Sequence, residues 1–313
     1  MTRLLVTGAD GFVGRWLVRA ARGEGRHVIA ATLPGVEPPI EWGDSTSSPP
    51  VEVVRADFRD IESVIRLENT RPDEVVHLAA IASGTEASAN PDEAQAVNGA
   101  MTGVFAETMS QATNPRFLYV STGEVYGAGH RDAIDESAGR EPVSPYASSK
   151  ARGEALVGLF HSEDGLPAII ARPFPHTGPG QTTTYVLPSL ASRLRRAKRA
   201  GAPVVKAGNL SAVRDFLDVR DVVRAYLLLL DRGAPGEVYN VASGIGRRLS
   251  DCFDALARIV GVDARAEQDA ALLRPGDIPV LIGDATKLRT LTGWSPQIPF
   301  ERTLQEMVDA QAD

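Results

Sequence analysis

The stretch RLLVTGADGFVG, residues 3–14, decides the fold of this chain. A short apolar run ends at a turn with glycines at positions 8, 11 and 14, and a helical pattern opens inside that turn. In a strand–turn–helix unit, the first glycine allows the tight turn, the second admits a pyrophosphate, and the third lets the helix pack against the strand. The helix N-terminus then faces the anion. The stretch predicts a dinucleotide-binding turn, with cofactor contacts at Gly8, Gly11, Phe12, Val13 and Gly14.

The same alternation of strand and helix continues through the first half of the chain. Short β-branched runs predict strands that begin at Arg3, His27, Val51, Glu74, Arg116 and Pro167. Helical patterns begin near Gly11, Asp60 and Asn90, and a further one covers residues 146–161. Alternating elements of this kind form parallel βαβ units. We therefore expect an α/β fold built on a Rossmann-like, doubly wound parallel sheet.

The rhythm changes after Arg172, where a loop and then mostly helical segments follow. This change predicts two interleaved domains. The dinucleotide-binding domain takes residues 1–172 plus about 215–243, and a smaller, mostly helical substrate domain takes about 173–214 plus 244–313. Residues 33–50, rich in proline, glycine and serine, are predicted to form a long surface loop.

The composition excludes several classes of function. The net charge of −7 gives no reason to expect nucleic-acid binding. No apolar run approaches the roughly 20 residues that span a bilayer, and the first run is too short for a signal peptide. The single cysteine, Cys252, allows no disulfide framework, which indicates a reducing compartment. The histidines lack metal-ligand spacing, so no metal is predicted. We expect a soluble, cytoplasmic protein.

The end of the second predicted strand bears on the type of cofactor. An acidic residue there would hydrogen-bond the ribose of NAD, whereas a nearby arginine would favour NADP. The sequence offers Thr32 and neither charge, which slightly favours NADP and leaves NAD open. At the end of the third strand, Asp57 either accepts a hydrogen bond from the adenine amino group or caps the next helix. Phe58 beside it is a further predicted cofactor contact.

A candidate reaction centre lies in SPYASSK, residues 144–150. Tyr146 and Lys150 are four residues apart, so both face the same side of a predicted helix. The ordinary pKa of a tyrosine is about 10, and a nearby ammonium and an oxidised nicotinamide favour its phenolate. Thr122 ends a predicted strand in VSTGEVYG, residues 120–127. A hydroxyl donor, a tyrosine and a lysine beside a bound nicotinamide make a hydride-transfer site.

Together with HLAA at residues 77–80, these motifs resemble the extended short-chain dehydrogenase/reductases, the NAD-dependent epimerase/dehydratase family, which act on nucleotide sugars. The resemblance covers nearly the whole chain. It implies a catalytic set of Thr122, Tyr146 and Lys150, with Glu124 placing substrate or a water. It also implies cofactor contacts at Leu78, Ala79, Ala80 and Asn98. In this family, helices such as those near 94–112 and 146–161 commonly form a dimer, so a homodimer is expected.

The second half resembles the branch of this family that reduces or dehydrates GDP-linked sugars. The matching motifs are RPFPHTGPGQ (172–181), GNLSAVRDFLDVRDVVRAY (208–226), GEVYNVASG (236–244), LRPGDIP (273–279) and LTGWSPQIPFERTL (291–304). The resemblance implies NAD(P)H-dependent reduction of the 4-keto group of GDP-4-keto-6-deoxy-D-mannose, giving GDP-D-rhamnose or its 4-epimer, GDP-6-deoxy-D-talose. Arg214 and Arg274 are predicted to neutralise the diphosphate, and an ion pair between elements is the alternative for each. Further predicted substrate contacts are His176, Gln181 and Asn209.

Two positions bear on the reaction within that branch. Dehydratases of the family use the residue before the glutamate as an acid that helps to expel the 6-hydroxyl, and here that residue is Gly123. The glycine favours a reductase over a 4,6-dehydratase or a 4-epimerase, unless a water or another side chain supplies the proton. Pro175 replaces the asparagine usual in the reductases, which leaves one substrate contact in question. A non-catalytic dinucleotide sensor is the alternative from another class, and the three retained reactive residues disfavour it.

Overall fold

Strands and helices alternate along the computed structural model, which describes residues 1–43, 50–273 and 276–311. The strands are β1 (Arg3–Thr7), β2 (His27–Thr32), β3 (Glu52–Arg55), β4 (Glu74–His77), β5 (Arg116–Val120), β6 (Ala168–Pro173), β7 (His176–Thr177), β8 (Val204–Ala207), β9 (Val213–Asp215), β10 (Leu217–Asp218), β11 (Val238–Val241), β12 (Gly246–Arg248), β13 (Arg265–Gln268) and β14 (Val280–Leu281). The α-helices are α1 (Phe12–Gly23), α2 (Ile61–Ile65), α3 (Gly84–Ala89), α4 (Pro91–Gln95), α5 (Met101–Ala112), α6 (Pro145–Asp164), α7 (Val186–Ala200), α8 (Val219–Arg232), α9 (Leu249–Val260), α10 (Thr286–Thr292) and α11 (Phe300–Asp309).

Seven parallel strands form the central sheet, in the order β3–β2–β1–β4–β5–β6–β11. In β1, Val6 lies beside Ala30 of β2 and Val76 of β4. The strand order reverses between β1 and β4, and ligands of such sheets bind in the crevice at this reversal, beyond the carboxyl ends of the strands. The predicted Rossmann-like, doubly wound sheet is therefore confirmed.

Helices cover both faces of the sheet, which explains why the strands are apolar on both sides. Leu4 and Leu5, neighbours in β1, point to opposite faces, and each is fully buried in a different apolar cluster. One cluster includes Leu17 of α1 and Tyr226 of α8, and the other includes Phe105 of α5. The central sheet is thus packed between two helical layers.

A third apolar cluster lies in the later part of the chain. It joins α7, α9 and α11 to β8 through side chains that include Leu194, Leu256 and Leu304. This separate cluster supports the division into two domains, which stays a prediction. In the described part of the chain, no helix has both the length and the apolar character needed to cross a membrane.

The segment after β2 differs from the expected surface loop. It contains a 3-10 turn at Ile40–Trp42, and Trp42 is buried in the same cluster as Leu4. The indole anchors one end of the segment, whereas residues 44–49 lie outside the described residues. The expected helix cap at Asp60 is present, since its side chain accepts a hydrogen bond from the Glu62 amide at 3.1 Å.

Asp215, at the end of β9, joins three segments of the later part of the chain. Its buried carboxylate accepts hydrogen bonds from the amides of Ser243 (3.0 Å), Gly244 (2.8 Å) and Gly283 (3.3 Å), and from the Ser243 hydroxyl. We predict that Asp215→Ala lowers the free energy of unfolding by about 3 kcal/mol, because buried amides lose their acceptor. Urea unfolding followed by circular dichroism measures this loss.

Asp269→Ala is the matched control for that experiment. Asp269 also accepts a backbone hydrogen bond, from Ala271, but at an exposed position where water can replace it. The control is expected to cost about 1 kcal/mol or less. Equal losses for the two variants would contradict the anchoring role of Asp215.

Candidate active site

A cavity of about 580 Å³ opens at the carboxyl edge of the sheet, where the strand order reverses. That volume is within the range of small-molecule and cofactor sites. The predicted site residues that line it are Gly8, Gly11, Phe12, Val13, Gly14, Asp57, Phe58, Leu78, Ala79, Ala80, Thr122, Glu124, Tyr146, Lys150, His176, Gln181 and Arg214. Thr32, Asn98 and Asn209 are not among the lining residues, and Arg274 lies outside the described residues.

The glycine turn fits a pyrophosphate. Gly8 has a φ of +66°, and a Cβ atom on Gly14 would lie 2.7 Å from the Cα of Ala9, so a larger residue at position 14 would force the helix away. Gly11 is the N-cap of α1 and has no side chain to bond the free amides, and the first turn of α1 has no acidic residue. The amides and the positive end of the helix dipole are therefore available to an anion.

A buried hydrogen-bond network supports the loop after β4. The Thr7 hydroxyl accepts from the amides of Leu78 and Ala79, both at 3.1 Å, and is 2.7 Å from Nδ1 of His77. Because two donors already occupy its oxygen, the hydroxyl donates to Nδ1, and Nε2–H of His77 donates to the Thr102 hydroxyl at 3.0 Å. Burial, with the charge of nearby Lys150, holds the pKa of His77 well below its usual value, which keeps the ring neutral.

Asn98 lies behind the cavity and supports its wall. It occupies a π-helical turn, Ala96–Ala100, between α4 and α5, and it is fully buried. Its amide oxygen accepts from the Ile81 amide at 2.8 Å, and its amide nitrogen donates to the Ile81 carbonyl and the Ser149 hydroxyl. π-Turns of this kind often accompany functional sites. Asn98 thus connects the loop after β4 to α6.

A positively charged side chain, Arg55, lies at the end of β2, and the sequence alone did not reveal it. Arg55 of β3 lies beside Thr32 in the sheet, and its Nη1 donates to the Thr32 hydroxyl at 2.6 Å and to the Leu33 carbonyl at 3.3 Å. This is the position at which an acidic residue of NAD-specific proteins contacts the ribose. Only the pairing of β2 with β3 could have pointed to Arg55. Asp57 lines the cavity and accepts from the Arg59 amide, while Asp60 caps the next helix.

The three predicted catalytic residues line one wall of the cavity. Thr122 follows β5 by two residues and caps the following 3-10 turn, with its hydroxyl accepting from the Glu124 amide at 3.2 Å. Tyr146 and Lys150 come from the first turns of α6, which Ser144 caps by accepting from the Ala147 amide. Helix α6 packs against the turn that contains Glu124, so the tyrosine and threonine meet at the carboxyl edge of the sheet.

Burial shifts the pKa values of both titratable groups of the catalytic set. Burial raises the pKa of the Tyr146 phenol, the negative charge of Glu124 and the phenol of Tyr185 raise it further, and the Thr122 hydroxyl acts in the opposite direction. Burial lowers the pKa of Lys150 to about 7, against the opposing effect of Glu154. The phenol is therefore protonated at neutral pH. A protonated phenol donates a proton, which is the role that reduction of a carbonyl requires.

The packing around position 123, as well as the chemistry, favours a glycine there. A Cβ atom at this position would lie 3.0 Å from Cε2 of Phe174, whose ring is fully buried. The ring also closely approaches Gly283, where a Cβ atom would meet the same edge. A side chain at position 123 therefore requires the Phe174 ring to move.

The predicted substrate residues cluster at the far end of the cavity. His176 donates from Nδ1 to the Phe174 carbonyl at 3.0 Å, stacks on Phe12 with 6.5 Å between ring centroids, and has its pKa lowered by burial. Gln181 donates to the His176 carbonyl at 3.1 Å. Arg214 lines the cavity and pairs with Asp277 at 2.6 Å, so the alternative ion pair between elements is present and the diphosphate contact stays a prediction.

Two predicted substrate residues lie elsewhere or make other contacts. Asn209 donates to Asp277 at 3.0 Å and accepts from the Ser211 amide, away from the cavity wall. Pro175 lines the cavity, and its carbonyl accepts from the Leu217 amide at 2.9 Å. Its side chain offers no donor, so the polar contacts of this wall come from its neighbours.

The sheet order, the glycine turn and the cavity define a Rossmann-type dinucleotide-binding enzyme. Residues 4–242 match the NAD dependent epimerase/dehydratase family, and the chain belongs to that family. The predictions of the family and of a nicotinamide dinucleotide as cofactor are confirmed.

Three relatives show the range within the family. The chain is 33% identical to the GDP-6-deoxy-D-mannose reductase of Pseudomonas aeruginosa, over 98% of this chain and 96% of the relative. It is 31% identical to a probable dTDP-glucose 4,6-dehydratase of Sinorhizobium fredii, over 98% and 92%. Among solved structures, RMD from Pseudomonas aeruginosa complexed with NADPH superimposes with a TM-score of 0.83 at 32% identity, over 99% of this chain and 98% of that one.

The contact between Gly123 and Phe174 gives a direct test of the packing. We predict that Gly123→Ala lowers the free energy of unfolding by about 1–2 kcal/mol, because the ring must shift to admit the methyl group. Phe174→Leu should remove most of that penalty in the double variant. The measurement is a double-mutant cycle by urea unfolding, and additive losses would show that the two positions do not compete for space.

Proposed function

We propose that this enzyme reduces the 4-keto group of GDP-4-keto-6-deoxy-D-mannose, with NADPH as the preferred cofactor. The observation that carries the proposal is a protonated Tyr146 in one cavity with Thr122, Lys150 and the dinucleotide turn, without an acid at position 123. The similarity to a GDP-6-deoxy-D-mannose reductase over nearly the whole of both chains supports the choice of substrate.

Each residue of the catalytic set has a distinct task. A bound reduced nicotinamide would supply the hydride to the carbonyl carbon. Tyr146 gives its phenolic proton to the oxygen on which negative charge develops, and the Thr122 hydroxyl donates a hydrogen bond to the same oxygen. Lys150, anchored by donation to the Val120 carbonyl at 2.8 Å, keeps further N–H groups that would hold the ribose of a bound dinucleotide. The product is GDP-D-rhamnose or its 4-epimer, according to the face of the sugar that receives the hydride.

The diphosphate of the substrate requires positive charge at the far end of the cavity. Arg214 supplies it, and the planar guanidinium is suited to paired hydrogen bonds with phosphate oxygens. Its ion pair with Asp277 keeps the guanidinium oriented before substrate arrives. Arg274 is proposed as a second phosphate contact on the strength of the sequence motif alone, with His176 and Gln181 as polar contacts to the nucleotide sugar.

A 4,6-dehydratase is the second candidate, since a relative of 31% identity carries that name. Elimination requires an acid beside the departing 6-hydroxyl. In this chain Gly123 provides none, and Phe174 occupies the space into which a side chain would extend. These two features favour reduction.

The preference for NADPH rests on Arg55. Its guanidinium bonds the Thr32 hydroxyl at the end of β2, and a guanidinium there attracts the 2′-phosphate that distinguishes NADP from NAD. We further propose that the enzyme acts in the cytoplasm as a homodimer, paired through α5 and α6. Partial exposure of the apolar Leu159 of α6 supports that interface, and light scattering in solution that finds only monomer would exclude it.

The main test uses GDP-4-keto-6-deoxy-D-mannose generated in situ. We predict that NADPH is consumed and that a 6-deoxyhexose product forms, with its configuration at carbon 4 read by NMR. Tyr146→Phe should lower kcat at least 100-fold, because the proton donor is lost, while the NADPH dissociation constant stays within about twofold. Turnover of GDP-mannose alone, without added NADPH, would instead establish the dehydratase.

The cofactor test uses Arg55→Ser. We predict that this variant binds NADPH about tenfold more weakly and leaves NADH binding unchanged, because a charge-assisted contact to the 2′-phosphate is lost. Fluorescence titration measures both affinities. Arg66→Ser is the control: both arginines are exposed and neither lines the cavity, but Arg66 pairs with Asp60 rather than with the end of β2. Equal weakening of NADPH and NADH by Arg55→Ser would remove Arg55 as the source of the preference.

A further inference from the structure

Helix α6 carries a buried carboxylate directly behind the catalytic lysine. Glu154 follows Lys150 by one helical turn, on the face that also carries Tyr146, and its residue is only 2% exposed. A lysine and a glutamate at this spacing ordinarily attract each other. Among the described residues, however, no ion pair joins these two side chains. The Lys150 ammonium instead donates to the Val120 carbonyl at 2.8 Å and lies 5.1 Å from the centre of the Tyr119 ring.

Two arginines form ion pairs with the Glu154 carboxylate. Arg172 of β6 makes a bidentate contact, with Nε to Oε1 at 2.9 Å and Nη2 to Oε2 at 2.7 Å. Arg140, from the segment before α6, donates to Oε2 at 3.1 Å. The Arg172 guanidinium is itself held 4.8 Å above the Tyr126 ring and is nearly buried. Both carboxylate oxygens therefore point to cations other than the lysine.

The backbone makes this separation geometrically strict. A Cβ atom on Gly153 would overlap the Tyr119 hydroxyl and lie 2.6 Å from the Asn98 carbonyl oxygen. Helix α6 thus approaches β5 as closely as glycine allows, and the Tyr119 hydroxyl donates to the Lys150 carbonyl at 3.2 Å. The helix therefore has no room to move closer to β5 and carry Lys150 and Glu154 with it.

We propose that Arg172 and Arg140 hold the Glu154 carboxylate away from Lys150, and so keep the lysine ammonium free to face the cofactor ribose and Tyr146. Glu154 and Arg172 are then positioning residues, which act through Lys150 without touching substrate. The proposal rests on the proposed function only in placing Lys150 against the nicotinamide ribose. It does not depend on the identity of the sugar.

The direction of the electrostatic effect follows from the groups around Lys150. These are Tyr146 and Glu154 on α6, Tyr119 on β5, and His77 on β4. Burial keeps the tyrosines protonated and His77 neutral, so Glu154 is the charged neighbour among them. Burial lowers the pKa of Lys150 to about 7 and Glu154 opposes the fall. Lys150 is charged below its pKa, so NADPH affinity is full at low pH and declines as pH rises through that value.

Neutralising Glu154 and neutralising Arg172 should therefore shift the pH dependence of NADPH affinity in opposite directions. Glu154→Gln removes the negative charge, and we expect the decline in NADPH affinity to move about one unit lower in pH. Arg172→Met removes the bidentate cation and leaves the carboxylate to Arg140 and Lys150, so the decline should move about one unit higher, with kcat lowered about tenfold because the ammonium is drawn from the ribose. The readouts are the NADPH dissociation constant from fluorescence titration and kcat, each from pH 5.5 to 9.5.

The double variant Glu154→Gln/Arg172→Met separates positioning from simple structural support. It removes one charge of each sign, so its pH midpoint should return to within about 0.3 unit of the unaltered protein, and kcat should recover at least threefold over Arg172→Met. Opposite shifts with recovery in the double variant support the proposal. Shifts of the same sign, or unchanged midpoints with losses only in thermal stability, overturn it.

A milder variant and a remote control keep the test decisive if Arg172→Met does not fold. Arg140 is more exposed, and Arg140→Met should raise the midpoint in the same direction by a smaller amount. Arg26 forms a comparable buried pair with Glu74 at 3.0 Å, at the amino end of the central strand β4. Arg26→Met should lower stability without moving the midpoint, and a shift there would show that the profile reports stability alone. If the sugar substrate is wrong, kcat is lost for all variants while the NADPH binding profiles still decide the question.

Discussion

The close approach of α6 to β5 is the constraint on which the rest of the active site depends. Because Gly153 has no side chain, the helix can lie against Tyr119, and this brings Tyr146 and Lys150 to the carboxyl edge of the sheet beside Thr122. The same approach buries the lysine, which lowers its pKa to about 7, and buries the tyrosine, which raises its pKa. Geometry and protonation at this site thus have one physical origin, the close packing of α6 against β5.

Gly123 shows how packing and chemistry can coincide at one position. Its lack of an acidic group excludes the general acid that an elimination needs, and the structure adds that the Phe174 ring fills the space a side chain would take. Phe174 is in turn confined by Gly283 and stacks on Tyr126, 6.4 Å between centroids. The residue type that position 123 can hold is therefore limited by a packed cluster. A larger residue at position 123 would clash with the Phe174 ring unless its neighbours also changed.

Much of the fold was predictable because its signals are local. The strand–turn–helix of residues 3–14, the apolar strands and the cap at Asp60 each arise from neighbouring residues, and each is present where the pattern places it. The loop of residues 33–50 was predicted less well, since burial of Trp42 depends on a core formed by distant strands. Asn209 and Asn98 were predicted as site residues, but neither side chain lines the cavity. Asn209 bonds to Asp277, and Asn98 bonds to Ile81 and Ser149.

The sequence by itself determined the class of fold, the glycine turn and the set of reactive side chains, because these depend on residue type and spacing within single elements. Tertiary structure alone decided the contact of Arg55 with Thr32, since those residues meet only when β2 and β3 pair. It also decided the partners of Glu154, where Arg172 from a different strand displaces the lysine of the same helix. Charge pairing and burial depend on elements far apart in the chain, and for this reason pKa values and cofactor preference emerge only after the sheet has formed.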